Sequence, residues 1–165
     1  MITTTNQVLH ISLFRAFLLP VELRFYIPKY LQCGLTNETI RKLIDSHYTK
    51  RDKSIRRYKR DQKMVRLKYG PISYWDTSQV TDMSFLFSYN PRFNRDISNW
   101  DVSNVTKMNS MFYAAESFNQ PLNKWNVSKV TRMNSMFYGA TAFNQPLDNW
   151  NVSMVQNMQG MFWYA

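Results

Sequence analysis

The chain has 165 residues with 21 Lys+Arg against 11 Asp+Glu, for a formal charge of +10. An apolar share of 44% supplies enough surface to offset chain entropy and argues against wholesale disorder, while four glycines exclude a Gly-rich or collagen-like chain. A single cysteine, Cys33, excludes an internal disulfide framework and a cysteine-based zinc site, and no apolar run reaches the length of a membrane span.

Taken in chain order, residues 1–35 predict a helical N-terminal segment. Residues 11–19, ISLFRAFLL, are apolar but interrupted by Arg15, and no small-residue cleavage site follows. An intracellular location is therefore favoured over secretion. The stretch LPVELRFYIPKYL, Leu19 to Leu31, is similar to the opening of an F-box through Leu19, Pro20, Glu22, Leu23, Ile27 and Leu31. Pro28 breaks its helical spacing, and the remaining helices of that motif have no counterpart before Thr36.

Residues 36–69 predict a basic helical cap. Thr36-Asn37-Glu38 ahead of Ile40, Leu43, Ile44 and Tyr48 combines a capping side chain, an early acid and apolar residues at helical spacing. The charge is concentrated here: residues 41–68 carry twelve Lys/Arg against three Asp, whereas residues 75–165 carry six of each sign. Arg56, Arg57, Lys59, Arg60 and Lys63 are the candidates for contact with an anionic partner, either nucleic acid or anionic lipid. A solvated outer face of the cap is the competing reading.

Residues 70–165 are built on a repeat of 25. Trp75, Trp100, Trp125 and Trp150 head rows at 75–99, 100–124, 125–149 and a shorter 150–165. Val80/Val105/Val130/Val155, Met83/Met108/Met133/Met158 and Phe87/Phe112/Phe137/Phe162 align down the rows, as do Asn94, Asn119 and Asn144. A unit this short cannot bury its own apolar face, so neighbours must stack. Val105, Met108, Met111, Phe112 and Ala115 step by three or four, which predicts a short helical piece; Leu122, Trp125 and Val127 predict a short strand. The expected fold class is α+β: a right-handed leucine-rich-repeat-like solenoid with an α-helical N-terminal cap. The tryptophan and asparagine columns are expected as its structural ladder.

The string W-D/N-V-S-x-V-T-x-M-x-x-M-F-x-x-A-x-x-F-N-Q-P-L resembles the BspA-like leucine-rich-repeat family, in its mycoplasma-type lipoprotein form with 25-residue repeats. The resemblance covers residues 70–165 closely, and LTNETIRKLIDSHYTKRDKSIRRY resembles that family's helical lead-in, with residues 59–68 as an insertion. It implies a binding scaffold and no catalytic residues.

The residues themselves favour no enzyme. His10, His47 and Cys33 fall in unrelated segments, and there is no Gly-rich phosphate loop. No metal or cofactor is expected. The column Asp76, Asp101, Asn126, Asn151 drifts from acid to amide and reads as turn capping, and the sequons at Asn104, Asn126 and Asn151 follow from the repeat itself.

Tyr113, Tyr138 and Trp163 form an aromatic column that serves either as a partner-binding stripe or as ladder packing. The expected function is noncatalytic protein binding by a scaffold. The alternatives are a substrate adaptor of a ubiquitin ligase, through the F-box-like start, and nucleic-acid or anionic-membrane attachment through residues 41–68. Row four stops before its Phe-Asn-x-x-Leu part, so a fragment of a longer product, or end-to-end self-association through an uncapped apolar end, is also expected.

Overall fold

A computed structural model describes residues 34–47 and 69–165. The F-box-like segment, the N-terminal helical segment up to Cys33, and most of the basic stretch lie outside the described residues.

The rows stack in register. Residues 25 apart form parallel bridges from Asp82 to Lys107, Lys107 to Arg132 and Arg132 to Asn157. Backbone bonds repeat from row to row between residues 24 apart. The N–H groups of Met108, Ser110, Phe112 and Ala114 donate to the carbonyls of Arg132, Asn134, Met136 and Tyr138 in the next row. Met83, Phe85, Phe87 and Tyr89 bond in the same way to the row after them, as do Met133, Ser135, Phe137 and Gly139. Fewer bonds run the other way, such as Thr131 N–H to the Thr106 carbonyl.

Where the apolar spacing predicts a short helix, the structure has a chain of reverse turns. The N–H of Met111 returns to the Met108 carbonyl, Tyr113 to Ser110 and Ala115 to Phe112, each closing three residues back. A helix would use every N–H within its own segment. Here alternate N–H groups are turned outward to bond the neighbouring row. The strand expected at Leu122, Trp125 and Val127 is replaced by turns closed by the Trp125 N–H on the Leu122 carbonyl and the Val130 N–H on the Val127 carbonyl, and the bridges fall instead at Asp82, Lys107, Arg132 and Asn157.

This geometry sets a conformational requirement. Each row has two turns whose third residue has positive φ: Phe85 and Tyr89, Ser110 and Ala114, Ser135 and Gly139, Gly160 and Tyr164. That is the type II signature, normally met by glycine. Six of the eight positions are not glycine. The two such residues of rows one and two cost roughly 2–4 kcal/mol per row, and the one in each of rows three and four roughly 1–2 kcal/mol. The four inter-row bonds return about 2–6 kcal/mol. Each buried Met or Phe adds roughly 1.5–3 kcal/mol, so stacking outweighs the strain.

The core is a double aromatic ladder with apolar flanks. Phe87, Phe112, Phe137 and Phe162 stack at 5.6, 5.4 and 5.5 Å between ring centres. Phe93, Phe118 and Phe143 stack beside them at 5.8 and 5.9 Å, and within a row the two rings lie 3.8–4.1 Å apart. Met83, Met108 and Met133 and the valines Val80, Val105 and Val130 are fully buried alongside. In row four the corresponding Met158 and Phe162 are exposed, because that row has a neighbour on one side only.

Helix α1, Asn37–His47, covers the other side of row one. It buries Ile40, Leu43 and Ile44, with Leu35 just before it. Thr36 Oγ1 accepts from the Thr39 N–H and caps its start. Two side chains of α1 then stand in for a preceding row. Asn37 Oδ1 accepts the N–H groups of Thr81 and Asp82; in later rows the N–H at the Thr81 position finds a carbonyl of the row before it. Arg41 donates to the carbonyls of Ser84 and Asp82, the positions that receive a backbone N–H in later rows. It also pairs with the Asp82 carboxylate at 3.0 Å.

Candidate functional site

Every outward column of the rows is a candidate surface, and each is built by a different turn. The tryptophans are internal. Their indole N–H groups donate to the carbonyls of Gly70, Ile72, Ile97 and Leu122, and all four rings are buried. The asparagine column forms a side-chain ladder. Asn94 Oδ1 accepts the Asn119 N–H and the Gln120 amide; Asn119 Oδ1 accepts the Asn144 N–H and the Gln145 amide. Asp76, Asp101, Asn126 and Asn151 each accept the N–H two residues on, at Ser78, Ser103, Ser128 and Ser153. Their side chains close turns.

The turn segments carry the surface that is not consumed in this way. Tyr113 and Tyr138 stack face to face at 4.6 Å and 4°. Tyr89 joins Tyr113 at 5.1 Å, and Tyr138 meets Trp163 and Tyr164 at 6.3 and 5.4 Å. The column therefore runs through all four rows. Alignment alone misses its first member, because Ser88, not Tyr89, stands at the matching position of row one. Tyr89 reaches the column from the next residue, which has positive φ and is 66% exposed. Tyr164 in row four does the same. Desolvation against the neighbouring rings raises the Tyr113 phenol above its ordinary value, and repulsion and hydrogen bonding with Tyr89 and Tyr138 add to it.

On the same turn segment the bridge residues form a polar column. Asp82, Lys107, Arg132 and Asn157 succeed one another row by row. Two residues on stand Ser84, Asn109 and Asn134, and Ser84 Oγ donates to Asn109 Oδ1 at 2.7 Å, which leaves both hydrogens of the Asn109 amide nitrogen to donate. Asn109, Arg132, Asn134, Gln156 and Asn157 line an open cleft of about 510 Å³. Sequence reasoning missed Arg132, because one cation in a neutral array carries no pattern.

Arg56, Arg57, Lys59, Arg60 and Lys63 lie outside the described residues. Of the twelve cations counted in residues 41–68, Arg41 is committed to row one and Lys42 pairs with Glu38 one helical turn away. Among the described residues no three His, Cys, Asp or Glu side chains come together where they could hold a metal ion, and no helix is long and apolar enough to cross a membrane.

A stack of 25-residue rows with matching columns makes this a repeat protein. The chain belongs to the family described as "Mycoplasma protein of unknown function, DUF285", which matches residues 56–165. Searches of curated proteins and of solved structures found no match.

Proposed function

We propose that this chain is a noncatalytic protein-binding scaffold, a right-handed solenoid of the BspA-like leucine-rich-repeat type whose turn face is its recognition surface. The observation that carries the reading is the tyrosine column. Tyr89, Tyr113 and Tyr138 follow one another on the outside of the rows, where the Phe ladder beneath already supplies the packing. Tyrosines held this way offer contact area and hydroxyls at little entropic cost. The rows carry six charges of each sign, so recognition there rests on shape and hydrogen bonding rather than bulk charge.

The test is quantitative capture from the source cell with the intact chain and with Tyr113→Ser/Tyr138→Ser. A set of proteins retained by the first and lost by the second, at unchanged melting temperature, supports the reading. Retention that does not depend on these two residues rules out the turn face as the surface.

A further inference from the structure

We propose that the turn face takes an acidic peptide segment, one carboxylate of which is held by Arg132. This rests on the reading of the turn face as a recognition surface and names the chemistry of what it binds.

The bridge column carries more positive charge than its fold requires. Asp82 is paired with Arg41 at 3.0 Å. Lys107 lies close enough to Asp82 to help hold its carboxyl ionised. Arg132 makes no ion pair among the described residues, and its bridge partner in the preceding row is Lys107, a like charge. Neighbouring positions across such a bridge are roughly 5 Å apart. Like charges directly facing one another are disfavoured. The fold does not demand a cation there, because Asn157 holds the same place in the next row and makes the same bridge. Both side chains are exposed, and an anion between them would relieve the repulsion.

The cleft selects among anions. Besides Arg132, the cleft is lined by the amides of Asn109, Asn134, Gln156 and Asn157. With the Asn109 oxygen taken by Ser84, its amide nitrogen remains to donate. A guanidinium fork binds a carboxylate through two parallel bonds. One guanidinium fork, with the Lys107 charge shared with Asp82, suits a single negative charge, whereas a phosphoryl group is recognised by clusters of arginine.

The tyrosines narrow the choice further. Tyr113 and Tyr138 stack on each other, so they present ring edges and hydroxyls rather than open faces. Single-stranded nucleic acid needs open faces for its bases. A peptide needs hydrogen-bonding edges.

The probe is a short fluorescein-labelled peptide alternating Glu and Ser, set against the same peptide with Gln for Glu and against a single-stranded oligonucleotide. Anisotropy titrations use the full chain, Arg132→Gln, Arg132→Lys, and the quadruple change Arg56→Gln/Arg57→Gln/Lys59→Gln/Arg60→Gln. The Glu peptide is expected to bind about tenfold more tightly than the Gln peptide. Arg132→Gln is expected to erase that preference, Arg132→Lys to restore it in part, and the quadruple change to leave it in place.

A preference for Glu that survives Arg132→Gln overturns the proposal. So does a preference lost only in the quadruple variant, an Arg132-dependent affinity for the oligonucleotide, or no binding of the Glu peptide. In each of these cases the scaffold reading still stands or falls separately on the dependence of partner capture on Tyr113 and Tyr138.

Discussion

Ala114 and Gly139 occupy the same place in successive rows, with φ of 53° and 65°. An added Cβ at Gly139 would meet the Ala114 Cα at 3.7 Å, an ordinary contact, so only the backbone opposes a side chain there. Gly139→Ala is expected to lower unfolding free energy by about 1 kcal/mol. Ala114→Gly is expected to be neutral or stabilising by up to about 1 kcal/mol, strain relief being offset by greater freedom of the unfolded chain. Urea denaturation of the two variants measures both signs, and a destabilising Ala114→Gly would show that the left-handed turns are not strained. None of this is legible in the letters. Phe, Tyr, Ser and Ala stand where the rule for such turns asks for glycine, and only the inter-row bonds reveal why the chain accepts them.

At the scale of elements, α1 is where sequence and structure meet best and also where they part. Thr36, Ile40, Leu43 and Ile44 mark a helix and its buried side, and the structure places a helix from Asn37 with those side chains buried. The letters cannot show that Asn37 and Arg41 replace a missing row, because those bonds span more than forty residues of sequence. The turn segments mislead for a different reason. Two overlapping turns bring residues three and four apart to one side, the same spacing a helix produces, so Met108, Met111, Phe112 and Ala115 suit either. Asn37→Ala is expected to cost about 1–2 kcal/mol by leaving two N–H groups without an acceptor, with Asn37→Asp retaining most of the stability in the same denaturation assay.

Asp82 joins α1 to row one and makes that junction sensitive to acid. Burial raises its pKa, but the hydrogen bond from the Ser84 N–H and the charges of Arg41 and Lys107 leave it below the ordinary value of 3.8. A carboxyl depressed on folding contributes stability above its unfolded pKa and loses it as pH falls through the folded one. The contribution is therefore whole at neutral pH and disappears below about pH 3.8. Asp82→Asn is expected to be less stable than the parent at pH 7 and to lose less on acidification. Melting curves at pH 7 and pH 3 that fall in parallel for the two proteins would refute it.

For the whole molecule, the row is the unit of change. Excising residues 100–124 joins Asn99 to Trp125 and keeps every column in register, so the shortened chain is expected to fold cooperatively with a lower melting temperature. Excising residues 100–111 puts Phe112 where Trp100 was and is expected to abolish cooperative melting. Circular dichroism melts of the two deletions test the stacking, and equal damage by both would contradict it. The columns were legible because the spacing of 25 is unbroken from Trp75 to Trp150. The column-jumping Tyr89 and the solitary Arg132 were not, since their roles depend on φ and on what faces them across the bridge.

The inter-row bonds also give the stack a polarity. Alternate N–H groups of the turn face point from each row toward the next, so their peptide dipoles add along the stack as they do along a helix. Carbonyls emerge on the side of row one, where the Arg41 guanidinium meets two of them, the same electrostatic choice as a cation at a helix C-terminus. On the far side of row four the groups in line are the N–H groups of Met158, Gly160, Phe162 and Tyr164. A chain that extends the ladder there must lead with carbonyls. Two such faces brought together symmetrically would set donor against donor, so the ladder can grow in one direction but cannot close on its own mirror partner.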